Sequence, residues 1–206
     1  KAAVGTMLGE GVRSSFSSGI DTIQKAGATL VTGGQPGGGK GVSFNNTLLV
    51  VSGSRFLEAP EVFQTEAFGN GSLIVLSDGV QQMATIAESL EGNLTGCLYS
   101  DTQGSDDAAY ADIEPALRTK VGRLLNDKMP TGVAVSAAMN HGGPYPSTGH
   151  PGFTAVGMPT AVSRFAMLQS YDNVRAARLP AVLQNASPGA DVWRRVDGSW
   201  TTADVA

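Results

Sequence analysis

The side chains able to do chemistry lie in well-separated stretches. In Pro60-Glu61-Val62-Phe63-Gln64-Thr65-Glu66-Ala67-Phe68-Gly69-Asn70, a carboxylate and an aromatic ring stand two residues apart. A carboxylate at Glu66 can accept two hydrogen bonds from a diol, and a ring at Phe68 can pack on a flat heterocycle. The same pattern also fits a capped turn with a solvated glutamate. The run Gly34-x-x-x-x-Gly39-Lys40 is a partial phosphate-cradling loop, with Leu73–Leu76 and Asp78 as a possible companion strand and carboxylate. Gly41 follows the lysine, so no hydroxyl is available for magnesium, and Pro36 removes one N–H donor. Val42-Ser43-Phe44-Asn45 reads as strand, so no helix N-terminus faces a phosphate.

Cys97 lies in the apolar stretch Leu94-Thr95-Gly96-Cys97-Leu98-Tyr99 and reads as a core thiol, the usual place for a free cysteine. His141 and His150 have no metal-ligand spacing with each other or with Cys97, so no metal site is expected. Met139-Asn140-His141-Gly142-Gly143-Pro144-Tyr145-Pro146-Ser147-Thr148 holds paired glycines and two prolines that fix an irregular course. Placed just after a strand end, such a loop is where open α/β sheets bind ligands; a plain structural loop fits the composition as well.

The elements that position these residues follow from periodicity. Met7, Leu8, Val12, Phe16, Ile20 and Ile23 predict a helix ending near Gly27, then a strand over Ala28–Thr32. The glycine-rich run Gly33–Gly41 predicts a loop and Phe44–Val51 a strand, with Arg55–Ala59 leading on. Pro60 suits the first position of a short helix, and Gly69 suits a left-handed stop before the strand Leu73–Leu76. Asp78 is the expected N-cap of a helix bearing Val80, Met83, Ala87 and Leu90, closed by Gly92. A strand over Leu94–Tyr99 and a polar loop over Asp101–Asp107 follow. Ala109, Ile113, Leu117, Val121, Leu124 and Leu125 then predict a long helix kinked at Pro115.

Thr131–Ser136 reads as a strand and Ala137–Gly157 as irregular chain. Val162, Phe165 and Leu168 suggest a last helix, and Asp197-Gly198 between Val192–Val196 and Ser199–Thr201 predicts a hairpin. That hairpin, with two tryptophans and little core of its own, needs something to pack against. Strands alternating with helices predict an α/β fold with a mostly parallel sheet flanked by helices.

The totals agree with one domain and an arm. The sequence has 206 residues, 41% hydrophobic and 16% charged, which is a globular rather than a disordered composition. A net charge of −4 without long runs of either sign argues against a nucleic-acid surface. No apolar run approaches the ~20 residues of a membrane helix. One cysteine excludes an internal disulfide and fits a reducing, cytoplasmic setting. The first residue is Lys1, as loss of an initiator methionine or a fragment of something longer would equally give.

Glu66-Ala67-Phe68-Gly69 resembles the Glu-x-Phe-Gly element of the aldehyde dehydrogenase superfamily, with Asn70 where that family usually has proline. Further segments are similar in order and spacing to its alpha-ketoglutarate semialdehyde (2,5-dioxovalerate) dehydrogenase branch. They are Pro130-Thr131-Gly132-Val133, His141-Gly142-Gly143-Pro144-Tyr145-Pro146, Phe153-Thr154-Ala155-Val156-Gly157, Arg164-Phe165 and the Trp193-Arg194…Asp197-Gly198…Trp200 tail.

The resemblance implies NAD- or NADP-dependent oxidation of an aldehyde to its acid. In the family a cysteine thiolate adds to the aldehyde, hydride passes to the nicotinamide, and a glutamate-activated water hydrolyses the thioester. It implies Glu66 and Phe68 as contacts to the nicotinamide ribose and ring. It also implies His141, Gly142, Gly143, Pro144 and Tyr145 as lining of the aldehyde pocket, and the tail as an oligomerisation arm in a homo-oligomer. Neither a Gly-Gln-x-Cys nucleophile motif nor a Glu-Leu-Gly-Gly base motif occurs, and Cys97 matches an ordinary strand position.

The expectation is therefore a C-terminal catalytic-domain portion (1–165) followed by a tail with the arm (166–206), beginning shortly after the nucleophile. It would carry no catalytic residue of its own and be inactive without its N-terminal half. A P-loop-like nucleotide-binding protein using Gly34 to Lys40, or a structural assembly module, are the alternatives.

Overall fold

Phe16, Ile20 and Ile23 recur along one face of the first helix, and all three are buried. A computed structural model of the chain describes residues 3–150, 154, 156, 159–189 and 191–205. Two compact units emerge, Lys1–Arg164 and Phe165–Ala206.

In the first unit, α1 (Glu10–Lys25) leads through Gly27, at φ 115°, into β1 (Thr29–Thr32). β2 (Thr47–Ser52), α2 (Gly53–Glu58), α3 (Pro60–Phe63), β3 (Gly71–Leu76) and α4 (Val80–Glu88) follow. β4 (Asn93–Leu98), α5 (Asp107–Arg118) and β5 (Val121–Asn126) complete the regular structure. β2 runs parallel to β3 and β4 parallel to β5, while β1 joins antiparallel at the outer edge of β2. The fold is α/β with parallel strand pairs and helices, as the alternation of elements implies. Among the described residues β3 pairs only with β2, and β4 only with β5. The helix layer is more continuous, because α4 packs on both α2 and α5.

The core joins α1 to β2, α2 and α3. Phe16 meets Phe44 edge-on at 4.8 Å between ring centroids, and Phe56 stacks on Phe63 at 5.8 Å. Leu49 and Val51 of β2 lie beneath them. Alternate residues of β3, Leu73 and Val75, pack against the same cluster, whereas Ile74 and Leu76 on its other face are exposed.

The structure departs from the sequence reading at several places. The approach to Pro60 is helical, because the Ser52 hydroxyl caps α2 by accepting the Arg55 N–H at 3.2 Å. Asp78 is not the cap of α4; Gly79, at φ 149°, takes that position. The Gln82 carboxamide instead accepts the Asp78 N–H at 2.8 Å. Gly69 is not left-handed, and α3 already stops at Phe63. Glycine is required at 69 by packing, since a Cβ there would lie 2.6 Å from the Phe16 ring.

Val121, Leu124 and Leu125 do not prolong α5; they form β5. Their spacing continues the helical period only by coincidence, and pairing with β4 decides the outcome. Thr131–Ser136 forms no strand: among the described residues its one backbone tie to a distant segment is the Ser136 N–H to the Val156 carbonyl at 2.8 Å, and Val135 is exposed. The last helix reduces to a 3₁₀ segment, Pro159–Arg164, because Val162, Phe165 and Leu168 stay exposed and gain nothing from burial.

The second unit is held by polar ties rather than a core. Short 3₁₀ turns at Ala176–Arg178 and Ala181–Leu183 precede the hairpin of β6 (Arg194–Val196) and β7 (Ser199–Thr201). Asp197 and Gly198 both have positive φ, the geometry of the tight hairpin turn that Asp-Gly favours. The Arg194 guanidinium donates to the Gln184 and Ala203 carbonyls, both at 2.6 Å. Trp193 and Trp200 remain about two-thirds exposed, at 65% and 66%.

Candidate functional site

The segment between α3 and β3 presents Glu66 and Phe68 because the residue between them faces inward. Ala67 packs on α1 at Gly19, where a Cβ would come within 2.8 Å of the Ala67 methyl. An extended chain sends alternate side chains to opposite sides, so Glu66 and Phe68 are turned outward. Phe68 is 74% exposed, unusual for an unpaired phenylalanine in a well-packed region. Among the described residues the Glu66 carboxylate accepts no hydrogen bond.

The two ends of this segment are fixed. At one end the Gln64 carboxamide donates to the Pro60 and Ser89 carbonyls at 3.0 and 3.2 Å and accepts the Glu91 N–H at 2.7 Å. At the other, the Asn70 carboxamide donates to the Phe44 carbonyl at 2.7 Å and to Asn46 Oδ1 at 2.8 Å.

Glu66 opens onto a cleft of about 590 Å³ lined by Gln64, Glu66, Leu90–Thr95, Pro146 and Ser147. Among the described residues its lining includes the carboxylates Glu66 and Glu91 and no lysine or arginine. Hydroxyl groups suit such a wall, and an anion does not. Phe68 lines a separate, more apolar hollow with Gly5–Leu8, Val12, Gly69 and Asn70. The structure therefore brings Glu66 together with the end of the His141 loop and sets Phe68 on the neighbouring surface.

The His141 loop lies against the amino ends of β4 and β5, not beyond a strand's carboxyl end as the sequence reading places it. Its glycines are explained by backbone contact. A Cβ on Gly122 or on Gly92 would overlap the carbonyls of Gly142 or Pro144, and one on Gly143 would overlap that of Asn93. The Gly92 N–H donates to the Tyr145 carbonyl at 3.2 Å, and the Gly143 N–H to the Thr148 hydroxyl at 3.1 Å. The Tyr145–Pro146 peptide is cis. Gly142 and Gly143 are buried, Pro144 half-buried, and His141 and Tyr145 exposed. Of this loop, Pro146 and Ser147 rather than His141–Tyr145 line the Glu66 cleft. Phe153, Ala155 and Gly157 of the following similar segment fall outside the described residues.

Sequence reasoning missed Gln64, Glu91, Asn93 and Ser147. Gln64 lies inside the stretch read as chemistry-bearing, but its partners are backbone groups 25 and 27 positions away, which no local pattern marks. Cys97 is half-buried on β4, with its thiol 3.1 Å from the Lys128 carbonyl and no base bonded to it among the described residues. No group of three His, Cys, Asp or Glu among the described residues is disposed to hold a metal ion. No described helix is long and apolar enough to cross a membrane.

The Gly33–Gly41 loop does not form a phosphate cradle. The Gly34 N–H is taken by the Thr47 hydroxyl at 3.0 Å, and that of Gly37 by the Ser43 carbonyl at 2.9 Å. Pro36 bridges to Phe44 in β fashion, and no helix follows Lys40.

No family model matches the chain. Over 189 residues it is 35% identical to alpha-ketoglutaric semialdehyde dehydrogenase 2 of Azospirillum brasilense, covering 91% of this chain and 35% of that protein. Over 197 residues it is 32% identical to alpha-ketoglutaric semialdehyde dehydrogenase of Acinetobacter baylyi, covering 95% of this chain and 36% of that protein. The chain thus spans about a third of the length of these relatives.

Betaine aldehyde dehydrogenase of Staphylococcus aureus, solved in complex with NAD+, superposes with a TM-score of 0.51 at 20% identity over 68% of this chain and 26% of that one. An aldehyde dehydrogenase from Bacillus cereus gives the same TM-score at 18% identity and the same coverage. By sequence along nearly its whole length and by fold, the chain belongs to the aldehyde dehydrogenase superfamily.

Proposed function

We propose that the chain is the C-terminal catalytic-domain portion of an NAD(P)-dependent aldehyde dehydrogenase that oxidises alpha-ketoglutarate semialdehyde to the dicarboxylic acid. The observation that carries the reading is the 35% identity to a dehydrogenase of that name across 91% of the chain. Residues 1–165 supply part of the catalytic domain, and 166–206 supply a tail whose exposed hairpin joins subunits in a homo-oligomer. The chain acts in the cytoplasm together with an N-terminal half.

The geometry fits a cofactor's ribose and ring. Glu66 is an exposed carboxylate that among the described residues has no competing partner and no cation in its cleft, and would accept hydrogen bonds from ribose hydroxyls. Phe68 offers an open ring face to a flat heterocycle. When bound, the nicotinamide supplies a hydride acceptor. The loop His141, Gly142, Gly143, Pro144 and Tyr145 forms a stiff wall beside the aldehyde, since its backbone rests on β4 and β5. The acidic cleft does not attract the substrate's own carboxylate, so the cation that holds it comes from outside this cleft. With no nucleophile or base motif in these residues, both groups come from the rest of the enzyme.

The test compares this chain with the complete enzyme, using NAD or NADP and the semialdehyde. The chain alone yields no reduced nicotinamide and the complete enzyme does. In the complete enzyme Glu66→Gln raises the cofactor KM by roughly 10-fold, the loss of one charge-assisted hydrogen bond. Turnover by the chain alone that disappears on Cys97→Ser refutes the reading. Stable self-association without nicotinamide binding, even with the rest of the enzyme supplied, favours an assembly module instead.

A further inference from the structure

We propose that Gln64 is a positioning residue that sets the separation between the two walls of the Glu66 cleft; the proposal rests on the reading of Glu66 above. The turn at Glu91–Gly92 lies between those walls, and its two consecutive N–H groups are divided between them. The Glu91 N–H is accepted by Gln64 Oε1 at 2.7 Å, two residues before Glu66. The Gly92 N–H is accepted by the Tyr145 carbonyl at 3.2 Å, one residue before Pro146. The wall carrying Glu66 is thereby tied, through one turn, to the wall carrying Pro146 and Ser147.

Glutamine is the side chain this tie requires. Both kinds of group in its carboxamide are in use: Nε2 donates to the Pro60 and Ser89 carbonyls, and Oε1 accepts from Glu91. A glutamate keeps the acceptor and loses the donor, a leucine of similar size loses both, and an asparagine is one methylene short. The bonds reach 25 and 27 positions along the chain, so they do more than close α3. Gly92 completes the device, because any larger residue there would push the loop off the turn.

The test is made in the complete enzyme with Gln64→Leu, Gln64→Glu and Glu66→Gln, and with hydrogen exchange at the Glu91 amide. Gln64→Leu is expected to raise the KM of both cofactor and aldehyde by roughly 10-fold, the loss of its hydrogen bonds across the cleft. Turnover per titrated active site is expected to fall less than that. Exchange at the Glu91 amide is expected to quicken in the same variant. A purely structural role would instead lower the fraction of active enzyme and leave both KM values unchanged.

Gln64→Glu retains the acceptor for Glu91 and is expected to give about 3-fold rises; it keeps the test open if Gln64→Leu does not fold. Wild-type KM values for both substrates in a folded Gln64 variant overturn the proposal, whatever Glu66→Gln does. A silent Glu66→Gln, with a raised aldehyde KM in Gln64→Leu, overturns the cofactor role of Glu66 and supports the tie.

Discussion

Replacing Gly69 by alanine adds one methyl group at the point where the Glu66–Phe68 segment crosses the core. The backbone at Gly69 is not left-handed, so no dihedral strain enters and the effect is steric alone. The new Cβ would stand 2.6 Å from Phe16 Cδ2, 2.8 Å from its Cγ and 2.9 Å from the Met7 methyl. This is about 1 Å inside the usual carbon–carbon contact of ~3.5–4.0 Å. Met7 can swing aside, but Phe16 cannot. Its ring is fully buried, meets Phe44 edge-on, and already has Gly71 against its far atoms, where a Cβ would be 3.0 Å away.

The segment must therefore move outward and carry Phe68 with it. We expect Gly69→Ala to lower stability by ~1–3 kcal/mol in urea titrations followed by circular dichroism. Phe16→Leu makes room at the same point, so the double variant should be less destabilised than the sum of the two, by at least ~0.5 kcal/mol. Gly11→Ala is the control, since Gly11 is an exposed position of α1 with nothing near its Cβ, and the variant should gain ~0.5 kcal/mol. In the complete enzyme a shift of this size should lower kcat/KM by roughly 10- to 100-fold. Gly69→Ala within ~0.5 kcal/mol of wild type, or strict additivity with Phe16→Leu, would refute the argument.

Gly122→Ala should lift the Gly142–Pro144 backbone from β5 at ~1–3 kcal/mol, read as faster hydrogen exchange across residues 142–147. The Asp101 carboxyl is held below the usual aspartate range by the Ser105 hydroxyl first, then by the Gln103 and Ser105 N–H groups. Its stabilising effect is thus present above the unfolded aspartate pKa and disappears as pH falls through the lowered one. Asp101→Asn should melt earlier than wild type near neutral pH, and the gap should close in acid. Arg194→Lys should leave the Gln184 and Ala203 carbonyls without their shared planar donor, and trypsin should cut the tail faster than in wild type.

What was legible in the sequence was set by local signals. The α1 stripe from Val12 to Ile23, the Asp-Gly hairpin and the parallel strand pattern each formed from local signals, whereas Met7 and Leu8 precede α1 and Leu8 is exposed. Glu66 and Phe68 were singled out by type and spacing, and both are exposed. What was not legible depends on distant partners. Val121–Leu125 carries a helical spacing yet pairs with β4. Gly69 looks like a turn glycine and is in fact a packing glycine against Phe16, 53 positions earlier. The paired glycines of the His141 loop announced an irregular course, but not that Gly92 and Gly122 were small in order to receive it.

Both tryptophans of the sequence, Trp193 and Trp200, sit on the hairpin and face outward. Indole emission from this polypeptide consequently reports on the surroundings of the hairpin. Emission in the free chain should be red-shifted and readily quenched by acrylamide. A blue shift on mixing with another polypeptide would locate the contact on the hairpin without any added label.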